Sequence, residues 1–158
     1  MGGTTDDRQL VQVHIARPSH KGWQHLVLHR HGDDEELPSL WQVVTGRPTL
    51  DESPFDAAQR ELAEETGLAA LEWWSLPMVA SFYDRRIDGV VTVVTFGVVV
   101  APNAQPVLNE HSAFRWLRCA TAMALLLVPA HQQGVEMFDR LLREQRFKPQ
   151  LRQLYCLE

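Results

Sequence analysis

Cysteine is nearly absent: Cys119 and Cys156 are the only two in 158 residues. That excludes a disulfide framework and the paired spacing of a zinc ribbon, so a reducing, cytoplasmic setting is expected. No apolar run approaches the roughly 20 residues that a helical membrane span requires. The two most apolar stretches, around 90–100 and 120–130, are far shorter. The opening Met-Gly-Gly-Thr-Thr-Asp-Asp lacks the basic flank and apolar core of a secretory signal. Positive charge is not in excess either, since 15 Lys+Arg against 20 Asp+Glu give a formal net charge of -5. Such a chain does not draw nucleic acid or an anionic membrane by its overall field. If its ligand is an anion, a cation has to mediate.

What is present fits one ordinary domain, with 45% apolar and 22% charged residues. Residues 1–7 read as a loose tail and 8–158 as the domain. Alternation at Leu10, Val11, Val13 and Ile15 predicts a strand, and residues 23–29 a second. The polar run 31–36 and Pro38 predict a loop, followed by a short buried strand over 40–44 that Gly46 stops. A long strand over 89–100 pairs with one near 78–83 through a turn at Arg86-Ile87-Asp88-Gly89. Residues 114–117 form another strand. Val135, Met137, Phe138, Leu141 and Leu142 lie at helical spacing near the end. The expected class is α+β, a mixed sheet between helices.

The chemistry concentrates in residues 46–68, GRPTLDESPFDAAQRELAEETGL. Ser53 is a helix cap, Pro54 suits the first helical position, Asp56 follows three residues after the cap, and Gly67 is placed to terminate. A helix over 54–65 follows. At roughly 100° per residue, Glu61, Glu64 and Glu65 share one face beside an apolar stripe of Phe55, Ala58 and Leu62. Like charges at these spacings repel, and they sit at the unfavourable end of the helix dipole. Two readings offset that cost: a solvated acidic face balanced by Arg60, or a hard divalent cation that prefers oxygen ligands.

Spacing separates the two. Gly46, five residues, Glu52, seven residues, and then Arg60-Glu61-Leu62-Ala63-Glu64-Glu65-Thr66-Gly67-Leu68 match every defined position of the Nudix signature, G-x5-E-x7-R-E-U-x-E-E-x-G-U, where U is a bulky aliphatic residue. The chain therefore resembles the Nudix hydrolases. The resemblance implies a central mixed β-sheet sandwiched between helices and metal-dependent cleavage of a phosphoanhydride. It implies Mg²⁺ or Mn²⁺ on Glu61, Glu64 and Glu65, with Arg60 orienting a carboxylate, Glu52 supporting the site and Gly46 allowing a tight backbone turn at the phosphate pocket. In such a reaction the metal neutralises phosphate and activates water, so positioning and electrostatics carry most of the acceleration.

Outside that segment, Glu110 opens Glu110-His111-Ser112-Ala113-Phe114-Arg115-Trp116-Leu117 and is the candidate general base and a further metal ligand, beside the plain alternative of a loop acid. His111 reads as structural or exposed. Trp41-Gln42-Val43-Val44-Thr45-Gly46 together with the Glu110 segment resembles the dihydroneopterin triphosphate pyrophosphatases, which release pyrophosphate. That resemblance implies Arg30 and Thr45 as substrate contacts. Arg47-Pro48-Thr49-Leu50 departs from that pattern, leaving Arg47 as either a phosphate contact or an exposed side chain. Trp41 is either a core residue or a ring-stacking one, while Trp23, Trp73 and Trp74 read as packing residues. Tyr83 raises a dinucleoside polyphosphate or broad housecleaning hydrolase as the alternative, and a non-cleaving nucleotide-binding module is a third. The expected partners are a small nucleoside-triphosphate-like substrate and, possible from family habit, a second copy in a homodimer.

Overall fold

A computed structural model describes residues 4–32 and 39–157. The expected loop acids over 33–36 and Pro38 lie outside the described residues. Among the described residues eight strands and four helices occur in the order β1 (Gln9–Ser19), β2 (Gly22–Arg30), β3 (Leu40–Gln42), β4 (Val44–Gly46), α1 (Pro54–Thr66), β5 (Glu72–Asp84), β6 (Gly89–Val99), β7 (Ala113–Leu117), α2 (Cys119–Leu125), α3 (Pro129–Glu144), α4 (Gln150–Tyr155) and β8 (Cys156–Leu157). They form the expected mixed α+β fold, with a curled sheet ordered β3-β2-β1-β6-β5-β8.

β1 is the spine. It runs parallel to β6 along one edge, from Gln9 opposite Thr92 to Ala16 opposite Val99. On its other edge it meets β2 only from Ala16 to Ser19, and β4 from Val11 to Val13. β1 and β2 thus splay apart, and residues 40–46 fill the gap. The single strand expected over 40–44 is two strands: β3 belongs to β2 and β4 to β1, with the break at Val43. Gly46 stops the strand as expected: it is the last residue of β4 and lies opposite Val11. This break carries Gly46 to the base of α1.

Both faces of the sheet are covered, so alternation does not separate buried from exposed residues as it does in a one-sided sheet. Val11, Val13, Ile15, Phe96 and Val98 pack on Ala57, Ala58 and Leu62 of α1. On the opposite face Trp74, Leu76, Val99, Phe138, Leu141 and Leu142 form a second cluster under α3. Trp74 is fully buried, as its packing assignment requires, with Trp23 and Trp73 packed at the edges of the two clusters. Helices α2 and α4 and the short β8 were not foreseen. They are brief, and α4 and β8 follow Pro149 without a strong apolar period of their own.

Within the expected tail, Thr5 bridges Thr49, and the amide of Asp6 donates to the carbonyl of Pro48 at 2.9 Å. Residues 4–7 therefore lie along the loop that follows Gly46. No described helix is long and apolar enough to cross a membrane.

Candidate active site

Helix α1 starts and stops as its residues dictate. The Ser53 hydroxyl accepts the amide of Asp56 at 3.1 Å, Pro54 sits in the first turn, and Gly67 adopts a left-handed φ of 65° while its N–H closes on Ala63. Leu62, Ala57 and Ala58 face the core, which fixes the helix rotation and turns Arg60, Glu61 and Glu64 toward the loop between β4 and α1.

Arg60 is the organiser of that loop. Its Nε and Nη2 donate to the two oxygens of Glu52 at 2.7 and 2.9 Å, a fork that a lysine does not offer. Its Nη1 reaches Glu61 at 2.8 Å and Glu64 at 3.2 Å, and Nη2 also donates to the carbonyl of Arg47. Hydrogen bonds from Arg60 and from the Thr49 amide hold Glu52 at about 2, far below the ordinary carboxyl value. Glu52 is thus a fixed anion that positions Arg60, which in turn gathers two of the helix carboxylates.

Glu65 is different. Its side chain is buried and its Oε2 has no hydrogen-bond partner among the described residues, although the backbone of Thr45 donates to the carboxylate. Burial, and then the charges of Glu61, Glu110 and Glu64, push its pKa up to about 8. Burial also raises Glu61, against the pull of Arg60. Four carboxylates, one of them from the exposed segment before β7, therefore feel one another across a small space. Among the described residues no three or more His, Cys, Asp or Glu side chains are gathered into a ready-made cation site, because Arg60 takes one oxygen each of Glu61 and Glu64. The donor set is nonetheless all hard oxygen, and an orphaned buried carboxylate oxygen is what a bound cation would satisfy.

Gly46 has a reason other than the one expected. It lies in β4 without a positive φ, so no tight turn is involved. A methyl group there would collide with the Glu61 carboxyl, so glycine is required for close approach. Arg47 is engaged rather than free: its guanidinium donates to the Asp7 carbonyl at 3.0 Å and lies 3.7 Å from Asp84. Trp41 packs against His29 with ring centroids 4.9 Å apart and lies under the Arg115 guanidinium. Arg30, at the end of β2, bears electrostatically on His111 and makes no ion pair with the carboxylates of α1. His111 is buried and bonded to Gln42 at 2.7 Å, the structural role expected.

The sequence reading left one feature unmarked. On the far face of β4 a cavity of about 220 Å³ is lined by Gln12, Thr45, Phe82, Val93, Ala130 and His131, among others. Thr45 joins the two places, its backbone bonded to Glu65 and its residue lining the cavity. The Nδ1 of His131 and the Oγ1 of Thr95, which pairs with Gln12 in the sheet, are buried without hydrogen-bond partners among the described residues. The available signal was a polar Gln12 and His14 set among Val11, Val13 and Ile15 in the middle of β1.

A sheet covered by helices, with a carboxylate cluster on the first helix after the glycine-ended β4, is the arrangement that the resemblance to the Nudix hydrolases implies. The NUDIX domain model matches residues 8–141, and the chain belongs to the NUDIX family. A dihydroneopterin triphosphate diphosphatase of Escherichia coli (strain K12) is 30% identical over 125 residues, covering 72% of this chain and 81% of that protein. The structure of the E. coli dihydroneopterin triphosphate pyrophosphohydrolase superposes with a TM-score of 0.69 at 25% identity, covering 87% of this chain and 98% of that one. A Myxococcus xanthus protein named octanoyltransferase is 38% identical over 99 residues, which are 58% of this chain but 26% of that protein, so the chain spans about a quarter of its length.

Proposed function

We propose that this Nudix hydrolase is a divalent-cation-dependent pyrophosphohydrolase of a nucleoside-triphosphate-like substrate, dihydroneopterin triphosphate or a (d)NTP, and that it releases pyrophosphate. The observation that carries the proposal is the buried, unpartnered Oε2 of Glu65 facing Glu61, Glu64 and Glu110. Three acids gathered around a buried fourth repel a polyphosphate unless a cation joins them. Mg²⁺ or Mn²⁺ would be held by Glu61, Glu64, Glu65 and Glu110, and when bound it supplies charge neutralisation of the phosphates and acidifies water.

The chain's own residues do the rest. Glu52 fixes Arg60, and Arg60 fixes Glu61 and Glu64, so the ligand oxygens are positioned before substrate arrives. Glu110, exposed on the segment before β7, is the carboxylate free to take a proton from the attacking water. The cavity beyond Thr45 is placed for the substrate's flat ring, with Phe82 as an apolar wall and Gln12 and His131 as polar groups. The name of the E. coli relative supports a pterin triphosphate as the first compound to try. Tyr83, the residue behind the dinucleoside alternative, pairs with Val90 on the other face and donates to Asp88.

A Mg²⁺-dependent screen of dihydroneopterin triphosphate, the common (d)NTPs, oxidised dGTP, dinucleoside polyphosphates and ADP-ribose, with products identified by mass, tests this. Pyrophosphate and a monophosphate are expected from the first two classes, with turnover falling at least about 100-fold in Glu65→Gln. Undiminished turnover in that variant would remove the metal assignment. Preference for a dinucleoside polyphosphate or ADP-ribose would replace the substrate.

A further inference from the structure

Residues 78–83 of β5, Met-Val-Ala-Ser-Phe-Tyr, contain no charge and no proline. β5 pairs with β6 along one side from Val79 to Asp84, while on its other side β8 covers only Trp73 and Trp74. Beyond Trp74 no described strand lies on the outer edge, and a bulge between Ser75 and Val79 sets this stretch off from the part that β8 covers. Exposed edges normally carry lysine, proline or an inward charge, because an open row of N–H and C=O groups recruits another strand. Here Pro77 and Asp84 bound the stretch and nothing protects its middle.

Both faces of this edge are apolar as well. On the α1 side Val79 is 84% exposed and Tyr83 62%, next to exposed Val90 on β6. On the α3 side Phe82 is 44% exposed, with Ala80 beside it. A strand that adds to this edge must therefore offer apolar residues on both faces in alternation.

We propose that the occupant is a second copy of the same edge, antiparallel, with Ser81 on a two-fold axis. The sequence is self-complementary in that register. Val79 falls opposite Tyr83 of the second copy, a β-branched and aromatic pair, and Ala80 opposite Phe82, a small residue against a large one. Neighbouring registers lose this: centring on Ala80 sets Val79 against Ser81, and centring on Phe82 sets Ala80 against Asp84. Asp84 ends the match already paired with Arg86 and 3.7 Å from Arg47 of its own chain, so no unpaired charge and no like charges stand directly across the strand pair.

The register gives a test that a different interface would fail. The mass of the wild-type chain in solution, read by light scattering after size exclusion, is expected to be that of two copies. Val79→Lys places a cation opposite Tyr83 and is expected to yield one copy, with the far-ultraviolet spectrum unchanged since the side chain is exposed. Adding Tyr83→Glu to it supplies the matching anion in the second copy and is expected to restore two. In the wild type, amide exchange across residues 78–83 is expected to slow as concentration rises, which requires no variant. A single-copy mass at every concentration would overturn the proposal, as would two copies in Val79→Lys or concentration-independent exchange. Failure of the double variant to recover two copies would overturn the register.

Discussion

On the α1 face of the sheet Val11, Val13 and Val98 meet Ala57, Ala58 and Leu62, and the charged residues collect at the rim around Arg60. The α3 face instead buries Gln12, His14, His25, Thr95, His131 and Asp139 within its packing. His25 bonds Asp139 at 2.9 Å, and Asp139 is held from its other oxygen by Arg143 at 2.7 Å. Burial opposes ionisation of Asp139, but those two bonds outweigh it and keep its pKa low. The imidazoles of His14 and His131 are also held low, but by burial, which keeps both neutral. One face spends its charges on a reaction and balances them through a single arginine. The other face uses buried polar groups to seat a helix, which makes it specific but sensitive to acid.

The comparison breaks most visibly at Glu65. Glu65→Gln is expected to abolish most turnover, yet to raise the melting temperature of the metal-free protein at pH 7.5 more than at pH 5. The sign follows from a folded-state pKa of about 8 against 4.5 unfolded. Above 4.5 the unfolded chain ionises this group while the folded chain resists, so the native acid costs stability as pH rises toward 8. Equal melting shifts at the two values, measured by calorimetry, would contradict the burial assigned to it.

Gly46→Ala is expected next, with turnover down about 10- to 100-fold as the Glu61 carboxyl is displaced, and a stability loss of about 1–3 kcal/mol from overpacking. Denaturant midpoints and kcat would both register it.

Asp139→Ala acts on the other face. It leaves His25 without its partner and is expected to cost about 1–3 kcal/mol in urea unfolding while kcat per folded molecule holds. A matching fall in kcat would show that the two faces are not separable.

The smallest effect is an acid slope. His131 is held at about 4 against an ordinary 6.5, so between these values the unfolded chain takes up a proton that the folded chain refuses. Stability falls as pH drops through that window, by about 1.4 kcal/mol per pH unit for each full proton. His131→Gln is expected to flatten the slope of melting temperature against pH from 6.5 to 4, and an unchanged slope would assign the acid sensitivity to other groups.

The α1 face was legible because its information is local. Ser53, Pro54 and Gly67 mark the helix ends, the helical period sets Glu61, Glu64 and Glu65 on one face, and the resemblance to the Nudix signature adds Glu52 and Arg60. Gly46 was found for the wrong reason, because its constraint comes from a side chain fifteen positions away that only packing brings near. Arg47 was left open and proves to be held by Asp7 and Asp84, partners set by the path of the chain before β1 and by the β5–β6 turn. The single strand over 40–44 failed at Val43, where β1 and β2 diverge and no residue signals it.

By itself the sequence determined the family, the helix that bears the acids and the main strands around it, since caps, periodicity and fixed spacing act within a few turns of chain. Only the tertiary structure decided which carboxylate is left buried without a partner, that Thr45 links the acids to a cavity, and that β5 presents a bare edge. Those depend on which strands lie side by side, and pairing between distant segments is a property of the assembled sheet that no local pattern encodes.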